Sequence, residues 1–383
     1  MQNFKRMALF LAGTALAITP YIAKAETIKI GVSQPLTGAV AASGNYVVQG
    51  AKIAESFLND SGGLLGKQVE LIIEDNKSNP KEAVATAEKL IVRDKVQVMM
   101  GAWSSTYTLA VMPKLMEYGI PMVVETSSSG KITTSGNPWI FRISPTSAME
   151  AKSFGTKVAN FNVKKANFLV VNNDWGRGAA KEFQKMLKNK GISIGVVETM
   201  DAKATDLSAQ LAKIKSSGGN TLFVTSGVEQ ITLVLKQAKE QGLKQQIITT
   251  GGSSSPDQLI AQAGAAAEGS LHLLFFAPWF PEAAPNPKVA TKFVKEWKKR
   301  GHNFAGLTEG FRGHDGIMTI AAAIKAAGKN NAKAIQKALW GVKVKGVNGN
   351  IAFIKQGPAG KESAQNIPNV YVVTIKNGKV ALP

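Results

Sequence analysis

Beyond its first 25 residues the chain repeats one pattern twice: a short apolar run, a turn, an amphipathic helix, then another apolar run. Strands separated by helices of roughly 10–15 residues cannot pair as hairpins, so they specify a parallel sheet covered on both faces. In the first half, 27–33, 68–75, 96–101 and 120–124 read as strands, with helices near 46–60, 80–93 and 106–118. Residues 139–144 read as a further extended segment, and Ser144-Pro145-Thr146-Ser147 as a crossing point rather than the start of a helix. The alternation restarts with strands at 166–171, 193–198, 221–225 and 246–250 and helices at 178–189, 207–216 and 230–241. Residues 269–276 are expected to return the chain toward the first lobe, ahead of a Pro-rich stretch at 277–287 and helices at 289–300, 308–327 and 332–339. A last strand at 370–375 suits either lobe. The expected fold is α/β, with two doubly wound parallel-sheet lobes joined by multiple hinge crossings. Residues 26–145 and 278–365 are assigned to an N-terminal lobe, 146–277 and 366–383 to a C-terminal lobe.

Open α/β sheets bind ligands outside the carboxyl ends of their strands. Two hydroxyl clusters fall there: Trp103-Ser104-Ser105-Thr106 after the run at 96–101, and Thr126-Ser127-Ser128-Ser129 after the run at 120–124. Hydroxyls beside the free N–H groups of a helix N-terminus suit a carboxylate. Ser104 or Ser105 serves equally as the N-cap of the helix reaching Tyr118, and 126–130 as a plain polar loop. Two such clusters on adjacent strand ends favour binding. Trp103 and Trp175 also stand at predicted strand ends, Trp175 within Asn173-Asp174-Trp175-Gly176-Arg177-Gly178. Facing each other across a cleft, the two indoles supply apolar walls for a flat or branched ligand; packing in a core is the alternative.

Lysine and arginine total 46 against 26 acidic residues, a formal charge of +20. Nucleic acid is not the expected partner, because the basic residues are dispersed, the densest group being Lys292, Lys295, Lys298, Lys299 and Arg300, without an aromatic-interleaved RNA-binding signature. A solvated basic surface is the reading, whose field raises the encounter rate of an anionic ligand. The absence of cysteine excludes disulfides, thiolate metal sites, a cysteine nucleophile and a lipid-modified cysteine. Lys5 and Arg6, the apolar stretch 7–18 and Ala23-Lys24-Ala25 read as a secretory signal peptide whose apolar core falls short of the ~20 residues of a membrane span. A monomer without a membrane anchor, in the periplasm of a Gram-negative cell, is expected.

Catalytic signatures are sparse. There is neither a Gly-x-Ser-x-Gly elbow nor a His-Glu-x-x-His, and His272, His302 and His314 are far apart in sequence. Gly62…Gly66-Lys67 lacks the Ser/Thr of a phosphate loop and follows a helix, so it reads as a turn. Asp75 and Asp174 end strands and are expected to cap helices or bond turns. A protein that is not an enzyme, with neither metal nor cofactor, is the expectation.

The chain resembles the periplasmic Leu/Ile/Val-binding family, the solute receptors of branched-chain amino acid ABC transporters. The resemblance spans everything after residue 25 and rests on Ile28-Lys29-Ile30-Gly31-Val32-Ser33-Gln34-Pro35-Leu36-Thr37-Gly38, Asn59-Asp60-Ser61-Gly62-Gly63-Leu64-Leu65-Gly66-Lys67, the Asp75…Asn79-Pro80 turn and Gly101-Ala102-Trp103-Ser104-Ser105. It implies a type I periplasmic binding protein that closes on a small carboxylate ligand and docks on a membrane permease. It further implies that Ser104, Ser105, Ser128 and Ser129 hold the ligand's carboxylate and part of its ammonium, with Trp175 closing over it. The acid that partners the ammonium in relatives falls at about Gly251, where this chain has Gly251-Gly252-Ser253-Ser254, and near Gly227-Val228 it lacks a tyrosine some relatives carry. Burying an ammonium without a counter-charge is costly. A branched-chain or other apolar amino acid therefore needs Glu125, Asp174 or another acid nearby, whereas an aromatic or oxo carboxylate does not. Arg312, in Glu309-Gly310-Phe311-Arg312-Gly313, is a candidate second anion contact, with a surface or interlobe role as the alternative.

Overall fold

A computed structural model describes residues 26–383; the expected signal peptide lies outside the described residues. The chain builds two seven-stranded sheets. In the first, β1 (Ile28–Gln34), β2 (Val69–Asp75), β3 (Met99–Gly101), β4 (Met122–Val124) and β5 (Ile140–Arg142) run parallel in the order β5-β4-β3-β1-β2. In the second, β6 (Lys165–Val171), β7 (Ser193–Met200), β8 (Thr221–Thr225), β9 (Gln246–Thr249) and β10 (Leu271–Leu274) run parallel in the order β10-β9-β8-β6-β7. In both, the order turns back beside the first strand of the lobe, which opens a crevice at the carboxyl ends.

The C-terminal part of the chain serves both lobes. A separate hairpin, β11 (Val344–Gly346) and β12 (Gly349–Ile351), follows the helix Ala332–Leu339. Then β13 (Ile354–Gln356) and β14 (Ser363–Gln365) extend the first sheet beyond β5, and β15 (Tyr371–Lys376) and β16 (Lys379–Ala381) extend the second beyond β10. The chain thus passes between sheets after β5, after β10 and between β14 and β15.

Strand alternation sorts the core into layers on either side of each sheet. Met100 and Val123 face the helices Ala41–Asp60 and Leu307–Ala327, whereas Met99 and Met122 face the helices Pro80–Glu88 and Ser105–Tyr118. In the second lobe, Phe168 and Phe223 pack with Phe154 and Phe183, while Leu169 and Leu222 pack with Leu211 and Ile231. Full burial of each such side chain is worth about 1.5–3 kcal/mol. The helices Ala41–Asp60 and Leu307–Ala327 approach closely through glycine: a Cβ on Gly50 would stand 1.7 Å from the Gly310 carbonyl oxygen.

Three expectations need correction. Ser144–Ser147 does start a helix: Thr146 accepts a hydrogen bond from the Met149 amide at 3.0 Å and caps Ser147–Gly155. Residues 269–276 do not yet return the chain; within them Leu271–Leu274 form β10 of the second sheet. The helix expected from 178 begins at Asp174, because the Asn173 side chain caps it by accepting from the Gly176 amide at 2.9 Å, outweighing the poor helix propensity of Gly176 and Gly178.

Candidate ligand-binding site

At the end of β3 the backbone turns through Trp103, whose φ of +67° is a left-handed conformation that bulky residues rarely adopt. The helix Ser105–Tyr118 starts immediately afterwards, with Ser104 in the cap position. Ser104 makes no cap hydrogen bond with its side chain, so its hydroxyl and the first helical N–H groups stand together. One strand away, the loop after β4 presents Thr126, Ser127 and Ser128. These residues and Trp103, Ser104 and Ser105 line a small, tightly closed cavity, bounded from the second lobe by Trp175, Gly251 and Ser253.

Hydrogen bonds divide the hydroxyls by duty. Ser127 is structural: its Oγ donates to the Trp103 carbonyl at 2.8 Å and lies 2.7 Å from Thr108 Oγ1. Ser128 Oγ lies 3.2 Å from Ser147 Oγ, across the first crossing between lobes. Ser105 Oγ accepts from the Ser129 amide at 3.1 Å. Ser129, expected in the site, does not line the cavity; its carbonyl is drawn away by Arg142, whose NH1 donates to it at 2.6 Å. Arg142 is fully buried on β5 and also binds the Ser127 carbonyl, Thr133 and Gln365, so it braces the hydroxyl loop from behind.

Trp175 sits in the first turn of its helix, only 8% exposed. Gly251 is required against it: its φ is +88°, and a Cβ there would lie 2.3 Å from the indole. The lobes are shut over this cavity. Thr106 Oγ1 donates to Asp174 Oδ2 at 3.2 Å, Ser255 Oγ to the Ala305 carbonyl at 2.7 Å, and Arg312 NH2 to the Gly252 carbonyl at 2.5 Å.

Two further expected contacts lie elsewhere. Gly227 caps the helix Val228–Glu240 without reaching the cavity lining, its nearest neighbours being Glu229, Gln230 and Val40. Arg312 is buried between the lobes, 3.4 Å from Glu309, and borders a separate small hinge cavity that also touches Glu125, Ser144 and Asn348. It faces Gly252 rather than the ligand cavity because the close helix pair at Gly50 and Gly310 fixes its helix under the second-lobe loop.

Of the acids gathered behind the cavity, sequence reasoning named Glu125 but neither Glu150 nor Glu309 in that role. Glu150 Oε1 accepts from the Gly251 amide at 2.6 Å, Glu125 Oε1 from Gln34 at 2.8 Å, and Glu309 Oε2 from the Trp103 indole at 3.4 Å. Burial pushes Glu150 up to about 8 and Glu309 up to about 7, and raises Glu125 as well; the nearby Arg312 charge opposes this without cancelling it. Each carboxyl group keeps one oxygen without a partner, on Glu125, Glu150 and Glu309 alike. None of the three lines the ligand cavity. Asp174, the other acid considered, is held by Thr106 and lies 4.0 Å from Lys131.

The sequence profile of the family described as periplasmic binding protein matches residues 27–379. The chain belongs to the periplasmic binding protein family. This binding protein is 28% identical over 355 residues to the leucine-, isoleucine-, valine-, threonine- and alanine-binding protein of Pseudomonas aeruginosa, covering 92% of this chain and 93% of the relative. Among solved structures it is similar to a leucine-binding protein of Thermotoga maritima, with a TM-score of 0.82, 28% identity and coverage of 93% and 98% of the two chains. It is also similar to a solute-binding protein of an ABC transporter from Rhodopseudomonas palustris in complex with 3,4-dihydroxybenzoic acid, with a TM-score of 0.79, 25% identity and coverage of 92% and 95%. Both comparisons extend over the two lobes, in keeping with a fold of two α/β halves. Among the described residues no helix is long and apolar enough to cross a membrane.

Proposed function

We propose that this periplasmic binding protein is the solute receptor of an ABC importer, working in the periplasm as a monomer and taking up a small carboxylate with an apolar body. The observation that carries the reading is the convergence of Ser104, Ser105 and Ser128 with Trp103 and Trp175 on one enclosed cavity between the lobes. The carboxylate meets the hydroxyls and the N–H groups that open the helix Ser105–Tyr118, and the apolar body lies between the indoles. Charge-assisted hydrogen bonds of about 1.5–3 kcal/mol each, with the buried apolar area, reach the ~8 kcal/mol of micromolar binding after association costs. Closure follows because the ligand touches both lobes only when they are shut. The loaded form then docks on a membrane permease.

The lobe division proposed at 145/146, 277/278 and 365/366 is supported by the places where the chain leaves β5, β10 and β14. The lack of a nucleophile paired with a base around the cavity supports capture without turnover.

Two ligand classes are supported by different observations. A branched-chain or other apolar amino acid fits the relatives named for leucine, isoleucine and valine. An aromatic or oxo carboxylate fits a cavity with two tryptophans and no acidic side chain in its lining, and the neighbour that holds a dihydroxybenzoic acid. Thermal-shift measurements with leucine, phenylalanine, benzoate and phenylpyruvate separate them. Stabilisation by the deaminated acids alone rejects the amino acid class, and no stabilisation by any carboxylate rejects the receptor reading.

A further inference from the structure

The helix Asp174–Asn189 carries Arg177, Lys181, Lys185 and Lys188 at spacings that place them along one face, and all four are exposed. They border a surface groove beside β7, the edge strand of the second sheet. Arg177 and Lys181 also border a second groove, which crosses from Lys131 in the first lobe to Lys152 in the second. The two grooves join into one track of six basic side chains, with Asp174 and Glu182 as the acids along it. Among the described residues, Lys131 alone of the six has a carboxylate within 4.0 Å, and that partner is Asp174. The field of the other five is uncompensated by ion pairing.

The track leads to the seam of the cleft. Ser129 and Ser147, the neighbours of the cavity residue Ser128, border the groove, and so does Asp174, the neighbour of Trp175. Thr106–Asp174 is the contact across this seam. When the lobes part there, the hydroxyl cluster opens onto the basic groove.

We propose that this track guides net-anionic carboxylates into the cleft, so that the receptor loads an anion such as an aromatic carboxylate faster than a zwitterion of the same size. The inference rests on the carboxylate-receptor reading and deepens it. A net charge is drawn down the potential of a single-signed groove, whereas a zwitterion gains almost nothing from it; the effect fades as salt shortens the screening length below the ~8–10 Å it has at physiological ionic strength.

The test is stopped-flow tryptophan fluorescence with benzoate and with leucine, on the full protein and on the triple variant Lys152→Gln, Arg177→Gln, Lys181→Gln. All three positions are exposed and outside the cavity lining. At low ionic strength the variant is expected to associate with benzoate about 3–10-fold more slowly, with an unchanged dissociation rate and a difference that closes in high salt. Leucine association is expected to move less than about twofold. Equal benzoate on-rates in the two proteins, as for a basic face that is merely solvated, overturn the inference while leaving the receptor reading intact. A change confined to the dissociation rate also overturns it. Absence of binding by every carboxylate overturns the receptor reading and the inference together.

Discussion

The guanidinium of Arg312, on a first-lobe helix, donates to the backbone carbonyl of Gly252 in the second lobe at 2.5 Å, and Arg312 is 1% exposed. A buried charge on a carbonyl of the opposite lobe acts as a latch for the closed form, since opening breaks that bond. Gly252 adjoins Gly251, which the Trp175 indole overlies, so the latch and the cavity share one loop.

Arg312→Met removes the latch without touching the cavity. Its expected effect is a fall in affinity of about 10-fold or more, in keeping with a lost charge-assisted bond of about 1.5–3 kcal/mol, carried by faster dissociation. Small-angle scattering with saturating ligand checks the structural side: the variant is expected to stay partly open where the native protein contracts. Equal affinity and equal contraction would show that the bond does not govern closure.

The buried acids predict a pH dependence of stability. Glu150 and Glu309 have folded values of about 8 and about 7, raised by burial from an ordinary value near 4.5. A raised value means the folded state holds protons that the unfolded chain has lost, so stability is greatest below about 4.5 and falls as pH rises through 7 and 8. Carboxylates paired elsewhere, such as Asp75 with the Thr37 and Lys77 amides, pull the other way at acid pH. The melting temperature is therefore expected to peak in mildly acidic buffer and decline toward pH 9. Glu150→Gln keeps an acceptor for the Gly251 amide and removes the ionisation, so it is expected to raise the melting temperature at pH 8.5 and change it little at pH 5. Equal shifts at both values would contradict this assignment.

Gly251→Ala tests the fit of Trp175. At φ +88° an alanine is strained, and its Cβ would fall 2.3 Å from the indole, so the ring must leave the cavity wall. Isothermal titration is expected to show affinity lowered by about 10-fold or more, with a stability loss of about 1–3 kcal/mol. A variant that binds as well as the native protein would mean that Trp175 does not cover the ligand.

Much of this arrangement was legible because it is written locally. Apolar runs ending in hydroxyl clusters mark strand ends, and adjacent strand ends of one parallel sheet must meet at one edge. Trp103, Ser104, Ser105, Ser128, Trp175 and Gly251 accordingly converge. What was not legible depends on partners remote in sequence. Ser129 is turned aside by the guanidinium of Arg142, a residue the strand pattern presents only as one more member of β5. Glu150 meets Gly251 across 101 residues and Trp103 meets Glu309 across 206, and no local periodicity announces a buried acid. Arg312 stood in the correct region, but its direction depends on how closely two helices approach through Gly50 and Gly310.

The most direct measurement of the central claim is titration calorimetry of a stabilising carboxylate against the double variant Ser104→Ala, Ser105→Ala. Two hydrogen bonds to a charged group, at about 1.5–3 kcal/mol each, predict an affinity loss of about 100-fold or more, with the tryptophan walls and the fold intact. Native affinity in that variant would contradict a carboxylate seated on the first-lobe hydroxyls.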